Sequence, residues 1–343
     1  MQIRSVLFIV GVLLVCVGAS LVLPLGVSLW YGDGAFLGLL SSLVIMVGGG
    51  LALAYTNRSQ TPLNLTLRDG FAVVGICWIV ASFAGGLPFV LTSTASVTDA
   101  VFEAASGFTT TGATIFADIE GLPHGLLMWR SLTHWIGGLG IILLSLIVLP
   151  LLGVGGMQLY RAEVTGPSPD KLTPRMQDTA LTLWRVYCLM TIVLTVLLYI
   201  AGMDWFDALN HSFSTVATGG FSTKNNSIAA YPQASIQWIL IFFMFIAGIN
   251  FSLHAQALRG VVKVYLRDRE CRFYTVLLIL GSAVIVAGLV EHGLFGMRSF
   301  PEFEAVTRAA VFQLVEKAAL SRQAACGQGL WPRSPRTARG YFK

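Results

Sequence analysis

A short polar segment occurs twice in this chain, each time between long apolar stretches. The residues D-A-V-F-E-A-A-S-G-F-T-T-T-G-A-T begin at Asp99, and D-A-L-N-H-S-F-S-T-V-A-T-G-G-F-S begin at Asp207, 108 positions later (207 minus 99). Each copy predicts a half-length helix that runs into Thr110-Thr111-Gly112 or Thr218-Gly219-Gly220. This repeated layout is typical of an ion-selective pore loop that enters and leaves a membrane on one side.

The composition predicts an all-α integral membrane protein. The 343 residues are 55% hydrophobic and only 11% charged, with a mean hydropathy of +0.74, whereas soluble domains carry about 25% charged residues. A membrane-spanning helix needs about 20 apolar residues. Seven runs meet this length, at 5–30, 35–55, 71–91, 126–152, 180–201, 236–258 and 273–290. We therefore predict about seven transmembrane helices, the first too long to be the core of a cleaved signal peptide.

The distribution of charge predicts the orientation. With a cytoplasmic N-terminus, the loops on the inner side hold most of the basic residues, as the positive-inside rule requires. These residues are Arg58, Arg68, Arg161, Lys171, Arg175, Arg259, Lys263, Arg267, Arg269 and Arg272. The basic residues lie on one side of the membrane only if both repeated segments are re-entrant. A segment that crossed the membrane fully would place every later loop on the opposite side. The net charge of +5 thus follows the bilayer and does not indicate nucleic-acid binding.

The physics of a half-length helix favours a cation at its end. A helix from Asp99 to Phe108 is about 15 Å long, half of a hydrocarbon core of about 30 Å. Asp99 and Asp207 are good N-cap residues, and the carbonyl end of each helix carries about half a negative charge. The non-helical stretch beyond it must line a water-filled cavity. Gly112 and Gly220 suit this stretch because glycine adopts left-handed backbone angles.

The simpler interpretation is a pair of interfacial helices whose Thr and Gly residues only form turns. The duplication argues against it, because three small residues of the first copy match the second at the same offset. The matched pairs are Ser106 with Ser214, Thr110 with Thr218, and Gly112 with Gly220. We therefore predict two complete re-entrant pore loops.

Further motifs connect the chain to a known family. They are W-R-S-L-T-H-W-I-G-G-L-G-I from Trp129, G-G-M-Q-L-Y-R-A-E from Gly155, D-G-F from Asp69 and N-F-S-L-H from Asn250. Together with the two Thr-Gly segments, they resemble the Trk and Ktr family of microbial potassium uptake proteins, most closely its TrkH branch. The resemblance runs from Arg4 to about Val315.

The resemblance implies a fold of four helix, pore-loop, helix units around one central pore, with K⁺ as the transported ion and no bound cofactor. It places the first selectivity filter at Thr110, Thr111, Gly112 and Ala113, and the second at Thr218, Gly219, Gly220 and Phe221. It also implies a homodimer in the bacterial inner membrane, surrounded by lipid and regulated by a cytoplasmic nucleotide-binding subunit of the TrkA type. Whether transport is symport with H⁺ or Na⁺ stays open.

The same resemblance divides the chain into five parts. We expect an N-terminal pair of transmembrane helices at 1–68, a first pore-loop repeat at 69–178, a second at 179–272 and the start of a third at 273–315. Residues 316–343 form a basic tail unlike the family.

The third repeat departs from the family near residue 316. Aligning 310–312 with 100–102 places a third filter at 319–322, where the sequence reads Ala-Leu-Ser-Arg and not Thr-Thr-Thr-Gly. We hypothesise a shift of the coding frame near codon 316, and the absence of Thr-Thr-Thr-Gly codons in the other two frames downstream would contradict it. The alternative is a short variant whose tail binds anionic lipid.

Several other residues carry weaker expectations. Arg130 and His134, one helical turn apart, either support the filter from behind or lie at the membrane interface, and we expect interface placement. Glu103 and Asp118 either concentrate cations at the outer mouth or are solvated rim residues. The five histidines and five cysteines are expected in packing or hydrogen-bonding roles. Close helix packing is expected at Gly48-Gly49-Gly50 and at Gly137-Gly138-Leu139-Gly140.

Two functions compete with potassium transport. A membrane-embedded acyl or glycosyl transferase needs His and acidic residues that converge on a substrate groove, and the sequence has no such motif. A chain with two filters also fits a non-conducting fragment or assembly partner, because two filters cannot surround an ion as four do.

Overall fold

A computed structural model of the protein describes residues 3–58, 67–151, 172–291 and 300–327. In these ranges the regular structure is helical, and no strand occurs. The α-helices are α1 (Ile3–Ser20), α2 (Val22–Tyr31), α3 (Phe36–Thr56), α4 (Leu67–Leu91), α5 (Val97–Phe108), α6 (His124–Leu151), α7 (Leu172–Ile200), α8 (Trp205–Val216), α9 (Ala234–Ala247), α10 (Phe251–Leu258), α11 (Val264–Arg267), α12 (Arg269–Glu291) and α13 (Phe300–Gly327), with a 3₁₀ turn at Ser227–Ala230.

Several helices are long and apolar enough to cross a membrane. Five candidate spans lie in the described part of the chain, at Ile3–Tyr31, Phe36–Thr56, Asp69–Leu91, Thr179–Ile200 and Arg269–Gly288. The first combines α1 and α2. A sixth span results if α9 and α10 are counted together. The all-α membrane class is confirmed, and the number seven stays a prediction.

The predicted continuous helix at 236–258 is wrong. α9 ends at Ala247 and α10 leaves it at an angle of 99°. The break has a local cause: Asn250 begins the new helix, and its side-chain oxygen accepts a hydrogen bond from the Ser252 amide at 3.0 Å. An Asn side chain that caps a helix start competes with continuation of the preceding helix.

Close glycine contacts join the first two spans. A β-carbon on Gly50 of α3 would lie 2.7 Å from the Gly11 carbonyl oxygen of α1, which shows that the two backbones touch. Gly48 and Gly49 face open space. The expected packing role of the glycine triplet is therefore confirmed for Gly50 and wrong for the other two.

Each short helix lies between two longer ones. α5 packs against α4 and α6, and α8 packs against α7, α9 and α6. The contact of α6 with α5 is so close that a β-carbon on Gly137 would lie 1.9 Å from the Phe108 carbonyl oxygen. α6 also bonds directly to α4, since the Trp129 indole donates a hydrogen bond to the Gly85 carbonyl at 2.9 Å. α6 therefore packs against both short helices.

Asp33 connects the N-terminal helices to the start of α6. Its carboxylate accepts hydrogen bonds from the Gly125 amide at the start of α6, at 2.8 Å, and from the Ala35 amide just before α3, at 3.0 Å. The Ser28 hydroxyl of α2 donates to the same carboxylate. One acidic side chain therefore satisfies backbone donors at two helix starts.

α13 packs along α9 and α12. It continues as one helix from Phe300 to Gly327, and so passes through 319–322, where the sequence alignment places a third filter. The described residues of this segment form no pore loop there.

The α1–α3 contact gives a direct test of the packing. Replacing Gly50 by Ile inserts a branched side chain between two touching backbones, and overpacking of this kind costs roughly 1–3 kcal/mol. We expect a lower midpoint of thermal unfolding in detergent for Gly50→Ile. Gly49→Ile is the matched control, since the same side chain there enters open space, and an equal effect of both changes would contradict the assigned contact.

Candidate functional site

The two short helices begin at corresponding residues, but not at the predicted ones. Ser96 caps α5, because its hydroxyl oxygen accepts a hydrogen bond from the Asp99 amide at 3.3 Å. Asp204 caps α8, where its carboxylate accepts from the Phe206 amide at 3.0 Å. The expected caps Asp99 and Asp207 are therefore wrong, and each lies in the first turn. There an acidic side chain still interacts favourably with the helix dipole.

Both short helices end in the same hydrogen-bonded turn. The amide of the second residue after the C-cap donates to the carbonyl of the third-last helical residue. The amide of the first residue after the C-cap donates to the carbonyl of the second-last helical residue, and the two bonds together form the Schellman pattern. In the first copy these bonds are Thr111 to Ser106 at 2.9 Å and Thr110 to Gly107 at 3.0 Å, and in the second they are Gly219 to Ser214 at 2.8 Å and Thr218 to Thr215 at 3.0 Å.

The segments that follow share an alternating backbone. Thr110 and Gly112 have φ angles of 55° and 75°, and Thr218 and Gly220 have 52° and 94°. The left-handed backbone angles predicted for the two glycines are confirmed. The two threonines were missed, because a β-branched residue in the left-handed region is a rare outlier that costs roughly 1–3 kcal/mol. Strain repeated at matching positions points to a function of this backbone.

The two segments approach each other at one point. A β-carbon on Gly112 would lie 2.2 Å from the Gly219 carbonyl oxygen. Gly112 is thus required both by its φ angle and by the neighbouring backbone. Gly220 is required only by its φ angle, since the nearest atom to a β-carbon there is Glu316 Oε1 at 3.9 Å.

Arg130 of α6 bonds to residues of both repeats. Its side chain is buried, with 1% of its surface exposed. Its Nε donates to Glu103 Oε1 of α5 at 2.7 Å. Its two terminal nitrogens donate to Thr114 Oγ1 at 3.1 Å and to the Ser222 carbonyl at 3.3 Å. The expected interface placement of Arg130 is wrong, because the side chain is buried and its guanidinium bonds to a carboxylate, a hydroxyl and a carbonyl of the protein.

Glu103 is buried as well, so neither interpretation of it as an outer-mouth residue is correct. Its carboxylate accepts hydrogen bonds from the Thr114 hydroxyl and the Ile115 amide, both at 3.0 Å, in addition to the Arg130 bond. These contacts tie the end of the first segment back to α5. A carboxylate with this many donors remains stable as a buried anion.

The second segment is tied back by a histidine at the corresponding position, 211. The His211 Nδ1 donates to the Asp207 carbonyl at 2.8 Å, and its Nε2 accepts from the Ser222 hydroxyl at 3.0 Å. Because a carbonyl only accepts, the ring must carry its proton on Nδ1. The two repeats therefore use different chemistry for the same connection.

His134 lies directly behind the second segment and is fully buried. Its ring stacks on Phe221 with the centroids 4.0 Å apart, and its Nδ1 lies 3.2 Å from Ser214 Oγ. A β-carbon on Gly219 would lie 2.1 Å from the same Nδ1. The expected interface placement is wrong for His134 too, and the side chain supports the segment from behind.

Residues past the two segments are also joined to each other. Asn225 accepts from the Ile119 amide at 2.6 Å and donates to Asp118 Oδ1 at 3.0 Å through its side chain, and its amide donates to Glu120 Oε1 at 3.1 Å. Asp118 is exposed. This fits its interpretation as a solvated rim residue.

The predicted site residues thus come together in two matching backbone segments, which differ in the burial of their last residue. Ala113 is exposed, whereas Phe221 at the corresponding position is buried between the His134 ring and the Arg130 guanidinium, whose carbon lies 4.3 Å from the Phe221 centroid. Of the remaining histidines, His124 stacks on Tyr31 and His254 bonds to the Tyr265 hydroxyl. His292 lies outside the described residues.

The comparisons with known proteins agree with this geometry. A sequence model of TrkH, described as a cation transport protein, matches residues 40–292. The Trk system potassium uptake protein TrkH of Halomonas elongata is 40% identical over 97% of this chain and 68% of its own length. The protein of the same name from Escherichia coli (strain K12) is 42% identical over 80% of this chain and 57% of its own length.

A solved structure gives the same picture. The crystal structure of the potassium transporter TrkH from Vibrio parahaemolyticus superposes with a TM-score of 0.82 at 35% sequence identity, over 92% of this chain and 64% of that one. The chain therefore spans between 57% and 68% of the length of these relatives.

A double-mutant cycle tests the buried pair. Arg130→Met or Glu103→Leu alone leaves an uncompensated buried charge, which costs roughly 3–5 kcal/mol. We expect the double variant to unfold at a higher temperature than the sum of the single changes predicts. The matched control is Arg308→Met with Glu304→Leu, a more exposed pair on α13, for which we expect little coupling. Additive effects at Arg130 and Glu103 would contradict the assigned pair.

Proposed function

This chain belongs to the TrkH family of cation transport proteins, and from that premise we propose that it takes part in the transport of potassium ions across a membrane. One observation supports the proposal above the others. Two repeated helices end in the same turn, continue in the same strained backbone and meet at Gly112 and Gly219. Transport by a family of this kind requires no covalent chemistry from the protein.

We propose that the ion is held by backbone oxygens of the two segments, which act as selectivity filters. The first consists of Thr110, Thr111, Gly112 and Ala113, and the second of Thr218, Gly219, Gly220 and Phe221. Alternation of left-handed and ordinary residues allows successive carbonyls to face one side, where they replace the hydration shell of K⁺. The carbonyl ends of α5 and α8 add a negative potential at the same place.

The supporting side chains fit this role. Arg130, Glu103 and His134 lie behind the filters, where they fix the backbone without contacting the ion. An arginine facing a cation path would repel the ion, and here the Glu103 carboxylate compensates its charge at 2.7 Å. The transferase alternative is set aside, because the family consists of transporters and not enzymes.

The location and partners are part of the proposal. We propose a multi-pass protein of the bacterial inner membrane with a cytoplasmic N-terminus, supported by the basic residues at 259–272 on one side and by the acidic residues at 99, 118 and 120 on the other. We further propose a homodimer and a cytoplasmic TrkA-type regulatory subunit. The relatives' names refer to a Trk system, which supports more than one component.

Rubidium uptake into liposomes that contain the 343-residue chain tests the proposal. We expect uptake by the unchanged chain and its loss when Gly112 and Gly220 are both changed to Ser, because a side chain at Gly112 collides with the Gly219 carbonyl and both positions need a positive φ. Gly260→Ser is the matched control, because Gly260 has the same φ of 94° as Gly220 and open space around it.

The three results separate the alternatives. Loss in the double variant with retention in the control supports two filters as the ion path. No uptake by the unchanged chain would contradict conduction by this chain and favour the non-conducting alternative. Equal uptake by all three would contradict the assignment of the filters.

A further inference from the structure

A cavity lies on the side of the second filter that faces α13. It has a volume of about 50 Å³ and is partly open. The filter residues Thr218, Gly219 and Gly220 line one side, and Phe312, Glu316 and Ala319 of α13 line the other. It therefore adjoins the strained backbone of the second filter, and its lining includes no residue of the first filter.

α13 is fixed against the wall of this cavity by polar contacts with α9. The Trp238 indole donates to Glu304 Oε1 at 2.7 Å, and Arg308 Nε donates to Gln237 Oε1 at 2.8 Å. Lower on the helix, Val315 and Ala319 are 3% and 1% exposed. These contacts set the rotation of α13 about its axis and so direct the intervening Glu316 toward the filter.

Glu316 is the acidic residue of the cavity lining. Its Oε1 lies 3.9 Å from the position that a β-carbon on Gly220 would occupy. The lining contains no Lys or Arg. Its one histidine, His211, already uses both ring nitrogens, for the Asp207 carbonyl and the Ser222 hydroxyl. The only charge within the lining is therefore negative.

The remaining polar groups of the lining are those that bind alkali cations. Ser214, Thr215, Thr218 and Ser222 carry hydroxyl oxygens, and each filter residue carries a carbonyl. The carbonyl end of α8 adds its partial negative charge to the same space. Oxygen ligands with a single carboxylate suit a hard cation of low charge.

We propose that the cavity is a binding site for a monovalent cation between the backbone of the second filter and the Glu316 carboxylate. This inference rests on the proposed role of the second filter as an ion-binding backbone. The carboxylate stands where the two complete repeats have serine, because 316 corresponds to Ser106 and Ser214 at offsets of 210 and 102 (316 minus 106 and 316 minus 214). A full negative charge replaces a hydroxyl dipole beside the ion.

This replacement changes which ion is favoured. The attraction between an ion and a fixed negative charge rises as their separation falls, so Na⁺ gains more from the carboxylate than the larger Rb⁺ or K⁺ does. The site with Glu316 is therefore less selective for K⁺ over Na⁺ than a site of neutral oxygens alone.

Equilibrium dialysis of the purified 343-residue chain with radioactive Na⁺ and Rb⁺ tests the proposal. We expect Glu316→Gln to weaken Na⁺ binding by roughly tenfold or more, and to weaken Rb⁺ binding less. Glu316→Ser, which introduces the residue of the other two repeats, should show the same shift in the ratio. Glu270→Gln is the matched control, since it removes the same charge at a residue outside the cavity lining, and it should bind both ions as the unchanged chain does.

A readout of folding accompanies the dialysis, namely the midpoint of thermal unfolding without added ion. A change in the Na⁺ to Rb⁺ ratio for both Glu316 variants supports the site. Unchanged binding of both ions in these variants overturns it, and the proposed transport function then stands or falls by the Gly112 and Gly220 variants in the uptake assay. No saturable binding of either ion to the unchanged chain also overturns the site.

Discussion

The buried ion pair of Arg130 and Glu103 is the interaction on which the candidate site depends. Transfer of two charges into a protein interior costs several kcal/mol for each ion, and their attraction offsets this only when further hydrogen bonds satisfy both groups. Here Glu103 accepts from the Thr114 hydroxyl and the Ile115 amide, while Arg130 donates to Thr114 and to the Ser222 carbonyl. One pair thus connects α5 with the residues that directly follow both proposed filters.

This connection explains how a strained backbone persists. Gly112 and Gly220 adopt positive φ angles without strain. Thr110 and Thr218 cost roughly 1–3 kcal/mol each in the same region, and they persist only where the surroundings fix them. The helix ends fix them from one side through the Schellman hydrogen bonds. The Arg130–Glu103 pair and the His134 ring fix them from another side. Glycine at 112 lets the two backbones approach each other, and glycine at 219 lets the His134 ring approach the backbone. Close packing and strain are therefore parts of one arrangement.

Much of this arrangement could be predicted from the sequence. The offset of 108 residues predicted two matching helices, and the glycines predicted left-handed backbone, because both signals are local in the chain. The membrane class followed from composition. Each of these features depends on spacing or residue type alone.

The remaining features depend on partners that are distant in the chain. Arg130 is 27 residues from Glu103 and 92 from Ser222, so no local pattern favoured burial of its side chain over a position at the membrane interface. The cap positions were shifted by three residues, because Ser96 and Asp204 compete with Asp99 and Asp207 for the same helix starts. The bend at Asn250 was missed, because apolar residues continue on both sides of it.

We propose that the two filters hold K⁺ with their backbone oxygens. Diffraction from crystals of this chain grown with Tl⁺, a heavy substitute for K⁺, would locate the bound ions. We expect an anomalous peak beside the carbonyls of both filters, near Gly112 and Gly220. Bound Tl⁺ elsewhere in the protein, with none beside these carbonyls, would contradict it.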